Sequence, residues 1–168
     1  MSSVLSTYNT IRDEKALSNS SYFDTVILND VLQRALQKYQ NEIIKGNIII
    51  RCDELPEVEG NEQELELMFK NIISIIIDND LLSNKQFLYV NCTNGSIDAQ
   101  ASNIKDDCKY FEIQFKTNVS AAIIWQRADK YKITECEKIV SKHSGKLKMN
   151  IINSTGCLLS IILPGKYS

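Results

Sequence analysis

Leu55-Pro56-Glu57-Val58-Glu59-Gly60-Asn61-Glu62-Gln63-Glu64-Leu65, running on to Met68-Phe69-Lys70-Asn71-Ile72-Ile73-Ser74-Ile75-Ile76-Ile77, is the stretch on which the fold turns. Pro56 to Asn61 reads as a loop, with Gly60-Asn61 as its turn signal. Asn61 is placed to cap the next helix, and Glu64 three residues on completes a capping-box-like pair. Leu65, Met68, Phe69, Ile72, Ile73 and Ile76 then recur at helical spacing. From Ile72 to Ile77 the segment is apolar nearly all round, which predicts burial on more than one side. β-branched residues are mediocre helix formers, so a strand competes over Ile72–Ile77. Helix is preferred because the stripe keeps its phase from Leu65.

Upstream, Asn29-Asp30 offers an N-cap before Val31, Leu32, Ala35, Leu36 and Tyr39 at helical spacing, and Gly46 ends that helix. Ile48-Ile49-Ile50-Arg51-Cys52 reads as a buried strand. Downstream, Phe87 to Cys92 is a strand and Thr93 to Asp107 a polar loop. Phe111, Ile113 and Phe115 alternate with polar neighbours, the pattern of a half-buried strand. Ala121 to Arg127 is ambiguous, and Ile133 to Lys142 is a helix with Ile133, Cys136, Ile139 and Val140 inward. Two strands, from Lys146 and from Cys157, flank the turn Asn153-Ser154-Thr155-Gly156 and form a hairpin. This order predicts an α+β fold: a two-layer α/β sandwich with a mixed sheet and helices on one face.

The chain has 168 residues, enough for one well-cored domain and too few for two. Nineteen basic against 21 acidic residues give a net charge of −2, which argues against a nucleic-acid partner. Five cysteines without a CxxC pair, beside a single histidine, argue against a zinc site, and the cysteines read as reduced thiols, mostly buried. The N-terminus is polar and without the apolar core of a signal peptide, and no apolar run reaches the roughly 18 residues that span a bilayer. The expectation is a cytoplasmic domain with no direct membrane contact.

Four pieces in order resemble the histidine-kinase-type ATPase domain, the GHKL or Bergerat fold of sensor histidine kinases, over roughly residues 24–165. Asp24 to Leu32 looks like its extended lead-in to the first helix, and Pro56-Glu57-Val58-Glu59-Gly60-Asn61 like its P-x-V-x-G-D loop. Lys138-Ile139-Val140-Ser141-Lys142-His143-Ser144-Gly145 is similar to its K-I-V-E-x-H-G-G junction. Gly156 to Pro164 resembles its closing G-x-T-F-x-I-x-L-P. Residues 24–168 are therefore the domain, and residues 1–23 an arm resembling the segment after a kinase dimerisation helix, which implies a longer ancestral chain.

The resemblance also implies where a nucleotide site would lie. The family's NLxxNA helix uses its second Asn to coordinate the Mg²⁺ of ATP; the matching positions are Asn71 and Ile75, and an aliphatic side chain cannot ligate a hard cation. The first glycine box, DxGxG, matches Thr117-Asn118-Val119-Ser120-Ala121. Thr117 retains a weak means of contacting a base, whereas Val119 and Ala121 carry β-carbons where close backbone approach needs glycine. The second box, GxGxGL, matches Ala128-Asp129-Lys130-Tyr131-Lys132-Ile133 and holds no glycine to shape a phosphate cradle. The lid between the boxes is reduced to a few residues.

Each remaining candidate has a plain reading beside a functional one. His143 is either a phospho-acceptor or the structural His that the family has at this junction; the structural role is preferred. Asp78-Asn79-Asp80 is a possible cation site, or a solvated helix end. Lys130, Lys132 and Lys138 are a solvated face or a contact for an acidic partner, and Trp125 closes the vacated pocket or marks a partner contact. Together these imply a non-catalytic histidine-kinase-like domain, without ATP or Mg²⁺, serving as a binding or regulatory module in two-component-type signalling. Its partner would be a response regulator, a sensor kinase or a second copy of itself. The alternatives are a divergent sensor kinase domain that still binds ATP–Mg²⁺, and a kinase-derived phosphotransfer protein.

Overall fold

The apolar stripe from Leu65 onward folds as a continuous helix, and the sheet is assembled against it. The computed structural model describes residues 23–77, 85–95, 109–127, 130–153 and 156–165. In chain order the elements are β1 (Asp24–Ile27), α1 (Leu28–Lys38), α2 (Gln40–Lys45), β2 (Ile49–Cys52), β3 (Glu57–Gly60), α3 (Glu62–Ile76) and β4 (Phe87–Gly95). β5 (Tyr110–Thr117), α4 (Ala121–Arg127), α5 (Lys130–Lys142), β6 (Lys146–Asn153) and β7 (Gly156–Pro164) complete the chain.

The main sheet has five strands in the order β2-β4-β5-β7-β6. β2 runs parallel to β4 and the other neighbours are antiparallel, so the sheet is mixed. In the register, Phe115 stands opposite Val90 on one side and Leu159 on the other, while Ile113 stands opposite Ile161. These buried side chains share one core with Leu65, Met68, Phe69, Ile72, Ile73 and Ile76 of α3. The rings of Phe69 and Phe115 meet edge to face with centroids 5.6 Å apart, joining the helical layer to the sheet. Each such fully buried side chain contributes about 1.5–3 kcal/mol. The expected α/β sandwich is the observed architecture.

Four local readings are corrected. Pro56–Asn61 is not all loop: Glu57–Gly60 is β3, paired antiparallel with β1 from Asp24↔Gly60 to Ile27↔Glu57 in a separate two-stranded ribbon. Asn29 does not cap α1, because its Oδ1 accepts the Leu55 N–H at 2.9 Å and so ties the helix to the approach to β3. The first helix does not run unbroken to Gly46; it is interrupted at Tyr39, and α2 follows. β2 is not buried but an edge strand with Ile49 55% exposed, since a neighbour lies on one side of it only.

Other expectations hold. Asn61 caps α3, its Oδ1 accepting the Glu64 N–H at 3.0 Å. The reciprocal half of the capping box is supplied differently, because the Asn61 N–H donates to His143 Nε2 at 2.9 Å. The ambiguous segment after β5 is the helix α4, and the final hairpin forms with Ile151 opposite Cys157. Asp78–Asp80, most of the polar loop after β4 and residues 1–22 of the arm lie outside the described residues.

Candidate functional site

α3 sends its Ile75 face towards α5, and that interface is where the nucleotide positions were expected. Ile75 is 4% exposed and belongs to the core. One turn earlier, Asn71 is buried against α5. Its Nδ2 makes no hydrogen bond of ordinary geometry, although the amide lies close enough to the Cys136 thiol to favour the thiolate. Burial outweighs that effect and pushes the Cys136 thiol up to about 12, so it stays protonated at neutral pH. The same thiol points at the Met68 carbonyl, with S···O 3.7 Å.

Of the segment assigned by resemblance to a phosphate-binding box, Ala128 and Asp129 lie outside the described residues, and the part from Lys130 onward is helical. α5 begins at Lys130, so Lys130, Tyr131, Lys132 and Ile133 form its first turn rather than a loop, a correction to the helix start expected at Ile133. Without glycine, nothing in these residues opposes helix formation. Lys130 is exposed. Lys132 instead reaches across to α3, where its Nζ donates to Ser74 Oγ at 3.0 Å. Ser74 Oγ donates in turn to Asn71 O at 2.8 Å. The ammonium group is thereby engaged beside position 75, spanning the groove between the two helices.

Thr117, Val119 and Ala121 gather at the end of β5 and the start of α4, all buried. Thr117 Oγ1 accepts the Val119 N–H at 3.2 Å, so its polar atom serves the local turn. These three do not line the space next to Ile75; Trp125, one turn into α4, does.

A cavity of about 190 Å³ opens there. Ile72 and Ile75 of α3 form one wall, with Ile133, Cys136 and Glu137 of α5 facing them. Leu147, Met149 and Leu159 of the terminal hairpin make the floor, and Trp125 stands at the side. Trp125 remains 56% exposed, so it borders the cavity without sealing it. Tyr131, in the first turn of α5, is 70% exposed. The cavity is smaller than the ~300–1,000 Å³ of ordinary small-molecule pockets. Of its lining, periodicity marks Ile72, Ile133 and Cys136 as inward; the contributions of Met149 and Leu159 follow only from the hairpin's position in the sheet.

His143 is remote from this cavity in its role. It is 2% exposed, directly after α5. Nδ1 lies 2.7 Å from Ile139 O, and Nε2 accepts from the Asn61 N–H, an arrangement that needs a proton on Nδ1 only. Burial lowers its pKa, opposed by the Ile139 carbonyl. The ring also stacks on Phe23 at 4.5 Å. Gly60 makes room for it: a Cβ there would lie 2.7 Å from His143 Cδ2. His143 thus locks α5 to the β3–α3 corner.

Among the described residues, no group of three or more His, Cys, Asp or Glu side chains is placed to hold a metal ion. Among them, too, no helix is long and apolar enough to cross a membrane.

No protein-family profile matches the chain, and no curated protein matches it in sequence. Solved structures do match in fold. A nucleotide-free catalytic domain of histidine kinase ThkA superposes with a TM-score of 0.63 at 13% identity, covering 86% of this chain and 96% of that one. The mycobacterial sensor histidine kinase MprB gives a TM-score of 0.61 at 14% identity, covering 86% and 99%. ThkA in complex with the response regulator TrrA gives 0.59 at 16% identity, covering 97% of this chain and 48% of that one. The chain has the fold of the histidine kinase catalytic domain.

Proposed function

We propose that this chain is a non-catalytic domain of the histidine-kinase ATPase fold, working in the cytoplasm as a binding or regulatory module of two-component-type signalling. The observation that carries this reading is Ile75, packed into the core at the position where a metal-ligating Asn would stand. The residues at the positions that the resemblance assigns to a nucleotide do not fit an ATP–Mg²⁺ complex. Ile75 offers no oxygen, and Mg²⁺ needs a near-octahedral set of them. Val119 and Ala121 are buried with their β-carbons in place, and the Lys130–Ile133 turn has committed its backbone to a helix. The cavity of about 190 Å³ is lined chiefly by apolar side chains.

A phosphotransfer role finds no support at His143, which is buried with both ring nitrogens engaged. A protein partner is supported by analogy with ThkA, solved in complex with a response regulator. The exposed Trp125 of α4 and Tyr131 of α5 are each available as an aromatic contact for such a partner or for a second copy.

Thermal unfolding with and without ATP–Mg²⁺ tests the reading. A specific site filled at 100 times its dissociation constant adds about 2.7 kcal/mol of stability. The expected result is an unchanged midpoint; a Mg²⁺-dependent rise would restore the divergent-kinase reading.

A further inference from the structure

The cavity beside Ile75 has features that a merely imperfect core would not combine. Its inner wall is preformed by buried side chains, Ile72, Ile75, Cys136 and Leu159. Its outer side is bordered by the largely exposed Trp125 and the half-buried Ile133, which leaves a way in. The polar contributions are few. Cys136 is a protonated thiol directed at the Met68 carbonyl, and Glu137 adds a carboxylate.

Size and chemistry then select a ligand class. An apolar cavity of about 150 Å³ stays dry and accepts benzene. At about 190 Å³ this one suits a single ring with one small substituent. The Trp125 indole and the sulfur atoms of Met149 and Cys136 favour an aromatic over an aliphatic ring. The Glu137 carboxylate and the lack of a cationic side chain among the described lining residues disfavour a phosphate or carboxylate group.

We propose that this cavity is a binding site for a small uncharged aromatic molecule of one ring, held between α3, α5 and the terminal hairpin with Trp125 at its mouth. The proposal rests on the non-nucleotide reading of the site and goes beyond it by giving the vestigial position a ligand. Occupation would fix the position of Trp125 and α4, and so couple the ligand to the exposed contact that Trp125 offers.

Trp125 is the chain's one tryptophan, so its fluorescence reports directly on the site. The whole chain is titrated with benzyl alcohol, with benzoate as the anionic counterpart and with ATP–Mg²⁺. The expected result is a saturable fluorescence change with benzyl alcohol and at least tenfold weaker binding of benzoate. Leu147→Phe, which fills the cavity, abolishes the response while retaining a cooperative melt; Ile133→Phe serves if that variant does not fold. A linear, unsaturable response, equal binding of benzoate, or an unchanged response in a folded cavity-filling variant overturns the proposal. Failure of benzyl alcohol with no ATP binding sinks this inference alone, whereas Mg²⁺-dependent ATP binding sinks the reading on which it rests.

Discussion

Ile75→Asn introduces the residue type that a metal site would need and asks whether the surroundings have a place for it. The wild-type side chain is almost fully buried, so losing it forfeits about 1.5–3 kcal/mol of apolar burial. An introduced amide without partners adds about 1–3 kcal/mol. The unpartnered Asn71 Nδ2 one turn earlier offers the new carbonyl oxygen a donor, offsetting about 1 kcal/mol. The expected net loss is about 1.5–5 kcal/mol, read from urea unfolding followed by circular dichroism. Ile75→Val, which keeps the site apolar, costs only about 0.5–1.5 kcal/mol. ATP–Mg²⁺ does not rescue the Asn variant, because Val119, Ala121 and the helical Lys130–Ile133 turn are unchanged. A loss below about 1 kcal/mol, or Mg²⁺-dependent rescue, would refute the reasoning: position 75 would then face a polar, nucleotide-ready space.

Four further outcomes follow from the packing. Gly60→Ala drives a Cβ to 2.7 Å from His143 Cδ2 and 2.9 Å from Leu65 Cδ1. It should cost about 1–3 kcal/mol in chemical denaturation, with most of that cost gone in a His143→Ala background. Because burial lowers the His143 pKa in the folded chain, the unfolded chain takes up the proton first as pH falls. That contribution to stability is present above about pH 6.5 and is lost below it, with a limiting slope of about 1.4 kcal/mol per pH unit that His143→Gln removes from the stability–pH curve. Ser144 holds a left-handed φ of 58°, so Ser144→Gly should stabilise by about 0.5–1 kcal/mol in the same unfolding assay. Among the described cysteines, mass spectrometry after brief alkylation should find exposed Cys52 modified first, with Cys136 and Cys157 protected until denaturant is added.

Much of the fold is legible locally, and the exceptions share a cause. α3 is readable because Leu65, Met68, Phe69, Ile72, Ile73 and Ile76 keep helical phase over the whole element, which overrides the weak helix preference of isoleucine. The terminal hairpin is readable because its partners are neighbours in sequence. β3 is not, since Glu57–Gly60 becomes a strand only by pairing with Asp24–Ile27, over thirty residues away in chain terms as Asp24↔Gly60 shows. Asn29 has the chemistry of a cap, but the Leu55 N–H claims its oxygen from a distant segment.

The site divides in the same way. Ile75, Val119 and Ala121 stand out only through the resemblance to the kinase family, which expects a ligand or a glycine where these positions carry methyl-bearing side chains. The bridge from Lys132 to Ser74 depends on how α5 crosses α3, and no local pattern announces it. The cavity likewise exists only once β6 and β7 are set beneath the two helices. His143 is an intermediate case: its place after Val140 suggests a structural role, while its acceptor bond from Asn61 joins residues far apart in the chain.

Isothermal titration of the intact chain with ATP, in Mg²⁺ and again in chelator, tests the central claim most directly. The account predicts no saturable heat in either buffer up to millimolar nucleotide, where a binding free energy weaker than about −4 kcal/mol would be required. A one-to-one isotherm that appears in Mg²⁺ and vanishes in chelator would contradict it, and with it the inference that a buried Ile75 excludes the nucleotide.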